Sequence, residues 1–269
     1  MVTSREKKYT FQTFRLNYGE DAFQFGDLYV PEKAGPHPIV LLLHGGFWRT
    51  LYGLDELTGL AQDLASLGMA AWNIEYRRIG NPFGGWPGTL LDAAQATEYL
   101  TTIHTSYDLD LQRSIIIGHS AGGHLALWVA GRHRVSADSP LTSQPPRLPL
   151  RAAISLAGAV DLEHTWRLQS GGGATEAFIG GSPADYPERY ANASPARLLP
   201  LGIPQILLHG TQDQLLPLEV SQVYASNAIA AGDEVTLIEL PETDHFALID
   251  PHSMAWAVAV QTIKKRLDT

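Results

Sequence analysis

The stretch "IIIGHSAGGHLALWVAG", residues 115–131, joins a β-branched run to an apolar helical run through a glycine-rich turn that holds one serine. A serine at such a corner can simply cap the helix, because its hydroxyl satisfies a free backbone N–H. Gly118 and Gly122 flank Ser120 at two residues on either side, and their missing Cβ atoms let strand, turn and helix approach closely. Gly-x-Ser-x-Gly between a strand and a helix therefore predicts a reactive serine on a sharp turn.

The length and composition indicate one globular domain. The chain has 269 residues, of which 45% are hydrophobic, enough for one large core.

Its formal net charge of -9 argues against a nucleic-acid or anionic-membrane partner, because either would need a basic face. The absence of cysteine excludes disulfides, zinc–thiolate sites and a cysteine nucleophile. No signal segment is visible and no apolar run approaches the ~20 residues of a membrane span, so we expect a cytoplasmic protein.

Strand-like and helix-like runs alternate along most of the chain. Eight runs have strand character, and the continuous apolar run at 37–46 is typical of a strand buried on both faces of a sheet. Helices between buried strands imply right-handed crossovers. We therefore predict one domain, 1–269, with a mostly parallel eight-stranded sheet and helices on both faces.

Two segments, 132–150 and 158–203, interrupt this alternation. The first is rich in proline, the second is rich in glycine and proline, and neither shows a period. We interpret both as irregular insertions. The second also carries large aromatic residues, among them Trp166, which a flexible linker would not need. We therefore expect a small cap over a site.

The ends of two later strands supply partners for the serine. A serine hydroxyl is a useful nucleophile only when an imidazole takes its proton, and His245 follows the last predicted strand. The imidazole needs a carboxylate to fix its tautomer, and Asp213 follows the preceding strand. Asp244 competes for this role, but adjacent residues in an extended loop point in different directions. The order Ser, Asp, His along the chain supports His245 as the base.

Attack on an acyl carbon also requires N–H donors for the oxyanion. Ala121, the residue after the serine, is one expected donor. The loop after the third strand, "HGGFW" at 44–48, offers Gly45, Gly46 and Phe47 as the others, and the sequence leaves open which of them donate.

Together these motifs resemble the α/β-hydrolase superfamily from about residue 25 to the end of the chain. They are Gly118-His119-Ser120-Ala121-Gly122, His44-Gly45-Gly46, Asp213 and His245. The resemblance implies a serine hydrolase. "HGGFW" and "GHSAGGHLA" are similar to the kynurenine formamidase and small-carboxylesterase branch, although Phe47 stands where the hormone-sensitive-lipase branch has a third glycine.

We therefore expect a serine hydrolase that cleaves small carboxylic esters through an acyl-enzyme and requires no cofactor. An arylformamidase acting on N-formylkynurenine-like substrates is the first alternative, and an aminopeptidase-like enzyme is less favoured because no large additional domain is visible. An alternative of another class is a non-catalytic ligand-binding protein on the same scaffold. The oligomeric state does not follow from the sequence.

Aromatic residues are the candidates for lining the substrate pocket. They are Trp48, Trp86, Trp166 and Phe246, and core packing is the competing interpretation. His119 and His124 lie beside the serine without further metal ligands, so we expect no metal.

Overall fold

One eight-stranded sheet forms the centre of the described residues, 8–142 and 148–268 of a computed structural model. The strands are β1 (Phe11–Asn17), β2 (Phe25–Pro31), β3 (His37–Leu43), β4 (Ala70–Ile74), β5 (Leu109–His119), β6 (Leu150–Leu156), β7 (Gln205–Gly210) and β8 (Val235–Leu240). Their spatial order is β1-β2-β4-β3-β5-β6-β7-β8. Strand β2 pairs antiparallel with both neighbours, and the remaining pairs are parallel. The predicted mostly parallel eight-stranded sheet is confirmed.

Helices connect the strands and cover both faces of the sheet. The α-helices are α1 (Thr58–Ser66), α2 (Gly88–Ile103), α3 (Ala121–Gly131), α4 (Leu162–Arg167), α5 (Ser170–Ile179), α6 (Pro187–Ala193), α7 (Glu219–Ala230) and α8 (Met254–Asp268). Short 3₁₀ helices span Leu54–Leu57, Arg132–Arg134, Pro195–Arg197 and Ala247–Ile249. Within the described residues, no helix is both long enough and apolar enough to cross a bilayer.

The central strands are buried on both faces because their side chains alternate between two apolar cores. In β3, Ile39 and Leu41 belong to one core, whereas Val40 and Leu42 belong to the other. Helices α2, α3 and α7 contribute to the first core, and α1 and α8 contribute to the second. This double burial explains why β3 is a continuous apolar run rather than an alternating one.

The segment 158–203 is largely helical, which corrects its interpretation as irregular. It contains α4, α5 and α6, which have only 6, 10 and 7 residues, too short to show a helical period clearly. Helix α5 also carries three glycines directly after Ser170, at 171–173, whose φ angles are positive. In the other segment, 132–150, the chain forms the short helix Arg132–Arg134 and then turns, and its residues 143–147 lie outside the described residues.

The carboxyl ends of the central strands lie at one edge of the sheet. Parallel pairing places Leu43 of β3 beside Gly118 of β5, and Gly210 of β7 beside Leu240 of β8. The loops singled out from the sequence all leave this edge, where an α/β sheet binds its ligands.

Candidate active site

Ser120 lies on the sharp turn between β5 and α3. Its φ of 53° and ψ of -115° form a conformation that is rare for a residue with a side chain. A Cβ atom at Gly118 would overlap the carbonyl oxygen of Gly122, and a Cβ atom at Gly122 would overlap that of Leu43. The close approach of strand, turn and helix therefore requires glycine at both positions, as their spacing around the serine predicts.

An aspartate and a histidine from neighbouring loops meet at this edge of the sheet. Oδ2 of Asp213 lies 2.6 Å from Nδ1 of His245. The loops after β7 and β8 that carry them are joined by backbone, because the N–H of Gln212 donates to the carbonyl of Thr243 at 3.0 Å. A Cβ atom at Gly210 would overlap the same carbonyl. The tight packing of two strand ends thus brings the carboxylate and the imidazole together.

Asp244, the competing carboxylate, is turned toward its own loop. Its Oδ1 accepts hydrogen bonds from the N–H groups of Phe246 at 3.0 Å and Ala247 at 2.8 Å. Asp244 therefore stabilises the turn that follows it, and the carboxylate bonded to His245 is that of Asp213.

The Asp213 carboxylate is buried but surrounded by donors. Its Oδ1 accepts from the N–H groups of Leu215 and Leu216, each at 2.9 Å, and its Oδ2 lies 3.3 Å from Nε2 of His209. Burial alone would raise the pKa of this carboxyl, but the hydrogen bonds of His209 and His245 outweigh burial and hold the pKa of Asp213 well below its usual range. The carboxylate therefore stays ionised beside the imidazole.

His245 is 4% exposed, and its environment favours the neutral ring. Burial lowers its pKa from the ordinary 6.5, the hydrogen bond to Asp213 opposes this, and His119 lowers it further. Because Asp213 accepts from Nδ1–H, the geometry assigns the neutral tautomer whose Nε2 is free to accept a proton.

The loop after β3 folds back sharply at residues 44–48. Gly46, Phe47 and Trp48 have φ angles of 90°, 56° and 55°. The N–H of Gly45 donates to Oε2 of Glu56 at 2.6 Å. This hydrogen bond corrects the expectation that Gly45 donates to an oxyanion, because its N–H is already used.

The N–H groups of Gly46, Phe47 and Ala121 remain as candidate oxyanion donors. Among the described residues, no hydrogen bond uses any of these three N–H groups. Ala121 is the first residue of α3, where N–H groups have no partner within the helix. These three positions are therefore free to bind an anionic oxygen.

A buried polar network supports the start of this loop. Nε2 of His44 lies 3.0 Å from Oε1 of Glu75, and the His44 ring stacks on Tyr76 at 4.2 Å. The Tyr76 hydroxyl donates to the carbonyl of His44 at 2.7 Å. Burial raises the pKa of Glu75, but its hydrogen bond with His44 and the charge of Arg78 outweigh burial and lower the pKa. The loop thus rests on a rigid, hydrogen-bonded base.

A cavity of about 320 Å³, counting its open mouth, joins these elements. The side chains of Ser120 and His245 both line it, together with Phe47 and Leu215. Thr165, Ser170 and Thr175 of the segment 158–203 also line the cavity.

Comparisons with known proteins relate this arrangement to one family. The BD-FAE family model matches residues 26–227. The chain belongs to the BD-FAE family. It is 27% identical over 261 residues to Esterase LipC of Mycobacterium tuberculosis. This alignment covers 91% of this chain but only 62% of LipC. It is 25% identical over 252 residues to Kynurenine formamidase of Danio rerio, and this alignment covers 92% of this chain and 79% of that protein.

A solved structure confirms the α/β-hydrolase fold of this BD-FAE chain. Esterase B from Lactobacillus rhamnosis superposes with a TM-score of 0.82 at 19% identity, covering 97% of this chain and 86% of the other. At this level of identity the likeness concerns the fold. The chain also spans less than two thirds of the length of LipC.

Two of the four aromatic residues expected at the pocket of this BD-FAE chain lie at the site. Trp48 lines the cavity and stacks on Phe178 at 4.5 Å. Phe246 is 53% exposed and meets the His245 ring edge-on at 5.5 Å, in a small hollow next to the cavity. Trp48 is thus a buried wall, whereas Phe246 lies at the surface beside the site.

The structure places Trp86 and Trp166 outside the cavity lining. Trp86 belongs to a separate surface hollow, where the Arg189 guanidinium lies 5.9 Å from its ring. Trp166 donates its Nε1–H to Glu176 at 2.9 Å. Each indole therefore has a charged neighbour in the segment 158–203 and does not line the cavity at Ser120.

Two polar residues behind the predicted site were not assigned a role from the sequence. His209 has Nδ1 2.8 Å from the Ser221 hydroxyl and Nε2 2.9 Å from the carbonyl of Leu216, so it braces the loop that carries Asp213. Its position near the end of β7, at the edge of the sheet that carries the site, could have suggested a role. Nothing in the sequence around Glu56 predicts its role, because its contact with Gly45 depends on how the folded chain packs.

The histidines next to Ser120 make protein contacts. Nε2 of His119 lies 3.1 Å from the carbonyl oxygen of His245, and Nε2 of His124 lies 2.9 Å from that of Ala193. Across residues 8–142 and 148–268, no three His, Asp or Glu side chains are grouped to hold a metal ion.

Proposed function

We propose that this chain is a serine carboxylesterase that cleaves small carboxylic esters. Ser120 is the nucleophile, His245 is the general base, and Asp213 orients the base. The observation that carries the proposal is the 2.6 Å contact between Asp213 and His245, with His245 lining the same cavity as Ser120. This is the set of roles that acyl transfer to a serine requires.

The reaction has two halves. Oγ of Ser120 bonds to the ester carbonyl carbon while its proton passes to Nε2 of His245. The tetrahedral intermediate collapses, the carbon–oxygen bond to the alcohol breaks, and His245 returns the proton to the leaving alkoxide. Water then attacks the acyl-enzyme with His245 again as base, which releases the acid and restores the serine hydroxyl.

The carbonyl oxygen becomes negatively charged in both tetrahedral intermediates. Ala121 and the loop residues Gly46 and Phe47 supply the N–H donors for it. These donors are held in place before the reaction, so they stabilise the charge without reorganising. Loss of one such donor in a comparable site costs roughly 3 to 4 kcal/mol. Gly45 contributes indirectly, since its bond to Glu56 fixes the loop.

Arylformamidase activity is the second candidate. It is favoured by the similarity to Kynurenine formamidase of Danio rerio over 92% of this chain. A formamide is cleaved by the same steps, with an amine as the leaving group. The two candidates therefore share Ser120, His245 and Asp213 and differ in the substrate that fits the cavity.

Fluorophosphonate labelling followed by peptide mass mapping tests the common mechanism. The expected result is a covalent adduct on Ser120 that is absent in Ser120→Ala. A folded protein without an adduct contradicts the proposal and supports the binding-protein alternative. Values of kcat/KM for p-nitrophenyl butyrate and N-formylkynurenine then separate esterase from formamidase, because the preferred substrate has the larger value.

A further inference from the structure

One carboxylate contacts both the loop after β3 and the end of β5. Glu56 lies in the 3₁₀ helix Leu54–Leu57, and its Oε2 accepts the N–H of Gly45 at 2.6 Å. The same oxygen lies 3.7 Å from Nδ1 of His119. The side chains of Glu56 and His119 are only 13% and 1% exposed, so solvent screens this contact weakly.

The two ring nitrogens of His119 face two acceptors. Nε2 lies 3.1 Å from the carbonyl oxygen of His245, so this nitrogen must carry the donated proton. Nδ1 is buried, has no hydrogen-bond partner within the described residues, and faces the Glu56 carboxylate. A lone pair on Nδ1 would oppose the carboxylate, whereas an Nδ1 proton would attract it. Both contacts are favourable together only when the ring carries both protons.

We propose that Glu56 and His119 are positioning residues, a carboxylate–imidazolium pair that ties the oxyanion loop, residues 44–48 after β3, to the main chain of the general base. Glu56 holds the loop through Gly45, and His119 holds His245 through its carbonyl oxygen. The inference rests on the proposed function, because it assigns no purpose to the pair unless Ser120 forms an acyl-enzyme.

The pair also acts on His245 through its charge. The rings of His119 and His245 are 4.5 Å apart between centroids. Other titratable groups around them are Asp213 and His209 on the far side of His245, and Glu56 and Tyr52 next to His119. A positive ring at His119 disfavours a second positive ring at His245. Removing that charge should therefore shift the acid limb of kcat/KM to higher pH.

The decisive variant is His119→Gln, because glutamine still donates to the His245 carbonyl but cannot carry charge. We expect the acid limb of kcat/KM for p-nitrophenyl butyrate to move up by about 0.5 pH unit or more. The matched control is His252→Gln, which removes an exposed histidine that does not line the cavity, and it should leave the limb unchanged. A purely structural role for His119 would lower the rate without moving the limb.

Two replacements of Glu56 test the link to the oxyanion loop. Glu56→Ala removes the acceptor of the Gly45 N–H and should lower kcat by about 10-fold or more with little change in KM. Glu56→Gln keeps an acceptor oxygen and should recover most of this loss. Circular dichroism establishes that each variant is folded, and if Glu56→Ala is not, the acid limb of His119→Gln decides.

Labelling of Ser120 distinguishes failure of the proposed function from failure of the Glu56–His119 pairing. If the wild-type protein takes no fluorophosphonate, the proposed function fails and this inference fails with it. If Ser120 is labelled but His119→Gln keeps the wild-type acid limb, only the pairing of Glu56 and His119 is overturned. A Glu56→Ala variant with wild-type kcat overturns it equally.

Discussion

Oδ2 of Asp213 lies 2.6 Å from Nδ1 of His245 across two loops, whereas Asp244, the neighbour of His245 in the chain, bonds two N–H groups of its own turn. The contact therefore depends on the pairing of β7 with β8 and not on proximity in sequence. It also explains why the two carboxylates should differ in their effect on catalysis.

Replacing Asp213 with asparagine keeps the shape of the site but removes the charge and favours the wrong tautomer of His245. In a comparable triad this change costs about 10⁴-fold in kcat, and we expect a loss of that order. Asp244→Asn should be affected far less, because it keeps an acceptor for the turn. Steady-state rates of both folded variants measure the difference, and a larger loss for Asp244→Asn would reverse the assignment.

The pH dependence of the proposed esterase should reflect the environment of His245. Burial lowers its pKa below 6.5, so the ring stays neutral, and able to accept a proton, under mildly acidic conditions. We expect kcat/KM to hold its plateau below pH 6.5 before it falls. A profile whose midpoint lies above that value would show that Asp213 outweighs burial.

We expect the cavity to favour esters with short acyl groups. The bulky walls of Phe47 and Trp48 confine the cavity and favour acyl chains of about two to six carbons. A series of p-nitrophenyl esters of increasing length should therefore give its largest kcat/KM within this range. Preference for long-chain triglycerides, or activation at an oil interface, would contradict the prediction.

Much of the fold followed from the sequence because the central strands carry strong local signals. The apolar run of β3 and the glycines at 118 and 122 specify a buried strand and a tight turn through properties of neighbouring residues alone. The helices of the segment 158–203 were missed because short helices owe their stability to packing rather than to a visible period.

Some features of the candidate site could likewise be predicted from the sequence, and others could not. The placement of Ser120, Asp213 and His245 at strand ends was predictable, since topology brings such ends to one edge. The use of the Gly45 N–H by Glu56 was not, because it depends on how a separate 3₁₀ helix packs against the loop. Trp86 illustrates the same limit, since its partner Arg189 is distant in sequence.

His124 should make the stability of the protein depend on pH. Burial lowers its pKa from 6.5 to about 4, so the native ring stays neutral where the unfolded ring is protonated. Native stability from this group is complete above pH 6.5 and is lost as the pH falls from 6.5 toward 4, by about 3 kcal/mol in total. Urea unfolding at several pH values should show a shallower dependence for His124→Gln. His133→Gln, which removes an exposed histidine, is the control and should behave as wild type.

The turn at Ser120 should tolerate no side chain at Gly118. A Cβ atom there overlaps the carbonyl oxygen of Gly122, and neither backbone can move because strand, turn and helix are packed together. We expect Gly118→Ala to cost about 3 kcal/mol or more in urea unfolding. The matched control is Gly202→Ala, whose φ of +75° is strained for alanine but whose Cβ would meet nothing within 4 Å, so about 1 to 2 kcal/mol is expected. Fluorophosphonate labelling of Ser120 should fall in the first variant and persist in the second. Equal losses of stability would mean that the close approach at Gly118 is not what requires glycine.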